Sequence, residues 1–262
     1  MTRFANPVTQ SRLDPPTSGH KRPVRPDPAA CRYPRPVLIA AAVCPHPPLL
    51  VPRLAGGAAP ELDSVRTACD RAVAALVAAR PDRLLVVGAG GRTARHPGGA
   101  AGSLAPYGAP IAVGAGPAVL PLSLTVGRWL VERAGAEPAG FAELAGDARP
   151  EECLVVGAEL AASAPRVAVL VMGDGSARRG ERSPGRFDER AVDFDDAVAA
   201  ALAGADLATL ATLDPVLAEQ LMAAGRPAWQ ALAGAAEGAG LSAERLAYEA
   251  PYGVGYFVTL WR

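Results

Sequence analysis

Lysine is almost missing from this chain of 262 residues: of its 26 basic residues only Lys21 is a lysine. A Schiff-base lysine, a pyridoxal-phosphate lysine and a phosphate-loop lysine are thereby excluded from everything beyond the first 36 residues. Histidine is nearly as scarce, with His20, His46 and His96 alone. Imidazole chemistry in the body of the chain therefore rests on His46, His96 or both. The four cysteines, Cys31, Cys44, Cys69 and Cys153, are scattered and form no C-x-x-C pair, which excludes a disulfide scaffold or zinc ribbon and points to a reducing cytoplasm. No apolar run approaches the roughly 18 residues of a membrane span, and the start of the chain lacks the apolar stretch of a secretory signal. Formal net charge is zero, so neither nucleic acid nor an anionic membrane is an expected partner.

Half of the residues are hydrophobic, enough for a sizeable core. Residues 1–36 stand apart. They are rich in proline, lack periodicity, and carry Arg3, Arg12, Lys21, Arg22, Arg25, Arg32 and Arg35 against Asp14 and Asp27. They are expected to be a disordered extension. Regular patterning begins at Val37. Apolar runs at 37–43, 84–87, 111–113 and 166–172 predict short buried strands, and 244–249 with 254–261 predicts a closing hairpin. Between them, 60–79, 125–134 and 151–163 predict helices, and 193–239 predicts a helical stretch broken near Gly204, Pro215 and Gly225. Strands alternating with helices make residues 37–262 a single α/β domain of three layers, a mainly parallel central sheet flanked by helices.

In such sheets ligands bind beyond the carboxyl ends of the strands. The expected strand ends carry His46 between two prolines in Cys44-Pro-His-Pro-Pro48, then Gly88-Ala-Gly-Gly91 with His96 beyond, then Gly173-Asp174-Gly-Ser176, and finally Glu249. Asp174, on an exposed Gly-Asp-Gly turn, is a candidate ligand or catalytic carboxylate, and Ser176 a candidate catalytic hydroxyl. Arg178 can grip an anionic substrate, and Tyr252 is a candidate substrate contact. The glycine loop at 88–91 lacks the G-x-G-x-x-G spacing of a nucleotide site, and Ser176 is not in a G-x-S-x-G elbow.

Three segments together carry a resemblance: Pro45-His-Pro-Pro-Leu-Leu50, Met172-Gly-Asp-Gly-Ser176 and Glu249-Ala-Pro-Tyr-Gly-Val-Gly-Tyr-Phe257. Over residues 37–262 the chain resembles the class III extradiol ring-cleavage dioxygenases of the protocatechuate 4,5-dioxygenase β-subunit (LigB) type, whose superfamily includes the MEMO-like proteins. The resemblance implies non-haem Fe(II) held by two histidines and a carboxylate, with open positions for a catechol-type aromatic diol and O₂. His46 matches the first metal histidine and Glu249 the carboxylate. Gly91 stands where the second histidine is expected, with His96 a few residues further on, and Ala177 stands where the family has its acid/base histidine. Asp174 can fill a vacant position, and a set of His46, Asp174 and Glu249 suits Mn(II) as well as Fe(II). Three readings follow from this pattern: an oxygen-dependent oxidoreductase on a small aromatic diol, a non-catalytic binding or scaffold protein of the MEMO-like kind, and a metal-assisted hydrolase. Because many relatives are multimeric, a homo-oligomer is also expected.

Overall fold

The computed structural model describes residues 1–2 and 37–262, so the predicted disordered extension falls almost wholly outside the described residues. In chain order the elements are β1 (Val37–Cys44), α1 (Pro52–Ala55), α2 (Asp63–Ala78), β2 (Arg83–Gly90), β3 (Ala94–Pro97), β4 (Gly102–Ser103), β5 (Ala112–Val113), α3 (Leu122–Arg133), β6 (Gly140–Ala145), α4 (Pro150–Ala161), β7 (Arg166–Met172), α5 (Arg190–Gly204), α6 (Leu207–Ala211), α7 (Pro215–Gln220), α8 (Arg226–Ala236), β8 (Ala243–Glu249) and β9 (Tyr256–Trp261). A seven-stranded sheet runs in the order β3-β6-β2-β7-β1-β9-β8. Its four central strands, β6, β2, β7 and β1, are parallel. Antiparallel strands close both sides, β3 on one and the β9–β8 hairpin on the other. The chain is thus α/β with helices on both faces, as the alternating pattern predicts.

Three of the parallel strands, β1, β2 and β7, are apolar on both faces because both are covered. One face, with Val43, Leu85, Val87, Val169 and Val171, packs under α4, α5, α6 and α8. The other, with Ala42, Val86, Leu170 and Met172, packs under α2 and α3. Two expectations fail. The predicted strand at 111–113 is not in the main sheet: Ala112–Val113 pairs only with Gly102–Ser103 in a separate two-stranded ribbon. Its place is taken by β6 and β3, which carry buried Glu143 and His96 and so lack a continuous apolar run. Pro60 opens no α-helix either, lying within a 3₁₀ segment, Gly56–Leu62, that leads into α2. Among the described residues no helix is long and apolar enough to cross a membrane.

Helices α4 and α8 cross in close contact, and glycine makes the approach possible. A Cβ on Gly157 would fall on the backbone carbonyl of Ala231, and one on Gly234 would fall on that of Leu154. In an exposed helix, Gly→Ala stabilises by up to about 1 kcal/mol. Here Gly157→Ala is expected to destabilise by about 1–3 kcal/mol through overpacking against rigid backbone. Urea unfolding of the variant checks the sign, and a rise in midpoint would contradict the packing.

Candidate active site

Parallel pairing of β1 with β7 places Cys44 opposite Met172, so the residues that follow each strand emerge side by side. The Gly173 N–H donates to the Cys44 carbonyl at 3.0 Å, extending the ladder by one step. The next step is made by a side chain: the His46 backbone N–H donates to Asp174 Oδ1 at 2.7 Å. His46 Nδ1 lies 3.7 Å from the same oxygen, too far for a hydrogen bond but close for an ion pair. That Nδ1 is buried and has no hydrogen-bond partner among the described residues. Burial pushes the Asp174 carboxyl above its usual range, opposed by the His46 imidazole and the His46 N–H.

The closing motif completes the wall. Gly175 donates to the Gly255 carbonyl and Gly255 to the Ser176 carbonyl, while Asp174 forms an antiparallel bridge to Tyr256. The result is a cavity of about 330 Å³ at the carboxyl edge of the sheet. Among the described residues Asp174 is its only charged lining residue, and the walls include Pro47, Leu49, Ala177, Tyr252, Val254 and Tyr256. Burial and then the Glu61 carboxylate beside its hydroxyl push the Tyr252 phenol up. Tyr256 stays neutral, because burial and then the nearby Asp174 charge push its phenol up.

Of the residues singled out in the sequence, His46, Asp174 and Tyr252 are brought together. Others are not. His96 sits on β3, four strand positions from β1, so at about 4.8 Å per strand it lies on the order of 19 Å away. Its Nε2 is instead bonded to buried Glu143 at 2.9 Å. His96 is therefore corrected from metal ligand to partner of a buried carboxylate. Glu249 ends β8 opposite Tyr256, which itself stands opposite Asp174. The Glu249 backbone is thus two strands from that of Asp174, about 10 Å across the sheet, and its carboxylate accepts a hydrogen bond from the Ser64 hydroxyl at 3.0 Å. Ser176 is fully buried, donates its hydroxyl to the Leu221 carbonyl at 2.9 Å and accepts from the Arg178 N–H at 3.1 Å. It holds a turn and is not placed as a nucleophile. Arg178 lies against Gly185 with its Nε buried and unpaired among the described residues, and it does not line the cavity. Gly91 is exposed, and nothing stands where its side chain would project.

These placements decide the fit of iron. Among the described residues no three His, Cys, Asp or Glu side chains lie close enough to hold one metal ion. His46 and Asp174 offer one imidazole and one carboxylate, short of the two histidines and a carboxylate that a non-haem Fe(II) site requires. The residues present do not fit the implied metal.

Asp195 is a residue that sequence reasoning missed. It is fully buried behind the Gly175–Ser176 turn, accepts the Ser176 N–H at 2.8 Å and pairs with Arg179 at 3.0 Å. Arg179 also donates to the Tyr248 hydroxyl, which donates to Asp196. The signal was present: Ala191, Asp195, Val198, Ala199 and Leu202 share one buried helical stripe on α5, and a carboxylate on such a stripe needs partners.

Compared with known proteins, the chain matches no family model and no curated protein. Solved structures that match include the uncharacterised protein JW3007 from Escherichia coli K12, at 14% identity and a TM-score of 0.43, covering 84% of this chain and 98% of that one. A likeness of that size carries no argument about function.

Burial raises the Asp195 carboxyl from 3.8 to about 6, against the Ser176 and Arg179 bonds that lower it. Below the unfolded value both states hold the proton. Between the two values the unfolded chain has released it while the native state keeps it, so stability falls as pH rises from 4 through 6. The loss from pH 4.5 to 7 is expected to be about 2 kcal/mol. In Asp195→Asn that part of the slope disappears. Urea unfolding of both proteins at the two pH values checks this, and parallel profiles would contradict it.

Proposed function

We propose that the His46–Asp174 cavity binds a small aromatic diol of the catechol type and does not cleave its ring, an extradiol-dioxygenase-like pocket turned to binding. The observation that carries this reading is the Asp174 carboxylate, the one charged group among the described residues that line an otherwise apolar cavity, with the unpaired His46 Nδ1 3.7 Å from its Oδ1. Buried polar atoms without partners are uncommon and costly, and a ligand that brings hydrogen-bond donors satisfies them. A carboxylate beside an imidazole accepts from adjacent hydroxyls, while Pro47, Leu49 and Val254 pack against a ring. About 330 Å³ accommodates a single substituted aromatic ring.

Two absences weigh against catalysis. Ala177 lines the cavity at the position where the resemblance calls for an acid/base histidine, and alanine transfers no proton. Among the described residues no third metal ligand joins His46 and Asp174, since Glu249 bonds Ser64 and His96 bonds Glu143. The hydrolase reading fails on the same ground, because it needs Glu249 beside Asp174. Orientation of a diol by Asp174 therefore remains the chemistry the site can supply.

Calorimetric titration with catechol and with 1,2-dimethoxybenzene, which has no donors, tests the reading. Catechol is expected to bind at least about tenfold tighter, and Asp174→Asn, which keeps the side-chain shape, to remove that preference. Oxygen uptake with catechol and added Fe²⁺ is expected to stay at the protein-free rate. Equal affinity for both ligands, or ring cleavage above background, would contradict the reading.

A further inference from the structure

A larger cavity, about 750 Å³, opens at the end of β6 on the other side of the segment Met222–Ala224. Met222 and Ala224 line both cavities, so this short segment is the wall between them. Its floor is Arg226, the first residue of α8, which is 1% exposed. The guanidinium donates only to neutral oxygens: Nη1 to the Ala148 carbonyl and to Gln230 Oε1 at 2.9 Å, and Nη2 to the Gly146 carbonyl at 2.6 Å. It forms no ion pair with a carboxylate of the described residues. Burial pushes it below its usual range, with Asp147 acting on it only at longer range. A buried cation with no counter-charge is costly, and the positive end of α8 adds to the local potential.

The rest of the cavity fixes what would compensate it. Pro215, Val216, Ala218 and Met222 make an apolar wall, with Val216 and Met222 exposed. Met222 adopts a left-handed backbone, φ +55°, at the helix-terminating position after α7 that glycine usually fills. The chain keeps a bulky apolar side chain over the cavity where a smaller one would relieve the backbone. At the rim stand the exposed carboxylates of Asp147 and Glu219, which disfavour a multiply charged anion.

We propose that this cavity is a second binding site, for a monocarboxylate with an apolar body, with the Arg226 guanidinium as the carboxylate anchor. It is independent of the diol pocket and stands or falls without it.

The test is an amide-resolved NMR titration of the full chain with hexanoate, hexan-1-ol and inorganic phosphate. Hexanoate is expected to move the amides of Gly146, Val216 and Ala218 and to bind at least about tenfold tighter than hexan-1-ol, with phosphate silent. Because Arg226 also ties down loop carbonyls, Arg226→Gln is a hard variant to interpret, and Val216→Glu on the exposed wall provides the control. It is expected to weaken both ligands through the lost apolar contact, and hexanoate by about tenfold more through repulsion between the two carboxylates. Equal affinity for acid and alcohol, indifference of hexanoate to Val216→Glu, tighter binding of phosphate, or shifts confined to the Asp174 cavity would each overturn the proposal.

Discussion

The candidate site depends on one hydrogen bond, from the His46 backbone N–H to the Asp174 carboxylate at 2.7 Å. It closes the β1–β7 ladder where the regular backbone pattern has ended. Pro45 and Pro47 hold the chain on either side of His46 at restricted φ, so the imidazole is delivered beside the carboxylate that receives its own backbone. Every other feature of the pocket builds outward from this point. Tyr256 is positioned by its bridge to Asp174, and the Gly255 segment by its bonds to Gly175 and Ser176.

Behind the turn, Asp195 performs a matching service on the opposite face of the sheet. Its two oxygens are committed to Ser176 and Arg179, which makes the Gly173–Ser176 turn rigid from below. Such a buried carboxylate stabilises little at neutral pH, since desolvation opposes the gain from pairing. Its value is geometric: the loop that carries Asp174 is held by a charge network on one side and by β1 on the other. A preorganised pocket binds without first ordering its walls.

Much of the fold was legible because β1, β2 and β7 are buried on both faces and read as unbroken apolar runs. Strands β6 and β3 were not, because Glu143 and His96 interrupt them and satisfy each other only after the strands pair. The same limit applied to the site. Asp174 was legible as a carboxylate on a glycine turn after a buried strand. Glu249 was misread because its distance from Asp174 is set by the register of β8 on β9, which no single segment reveals. Ser176 was misread because its acceptor, the Leu221 carbonyl, comes from the far end of α7. Arg226 gave no signal at all, since its burial follows from the crossing of α8 over the loop after β6.

The likeness to extradiol dioxygenases rests on three loop segments, and these do converge around one cavity; the ligand set that would make the cavity an iron centre does not. The most direct test is iron stoichiometry after anaerobic loading with Fe²⁺ and desalting, measured on the wild-type chain and on His46→Ala. Iron well below one atom per chain, unchanged by the substitution, is expected from an imidazole and a carboxylate with no third ligand among the described residues. Near-stoichiometric iron that disappears in His46→Ala would contradict it and restore a metal centre at His46.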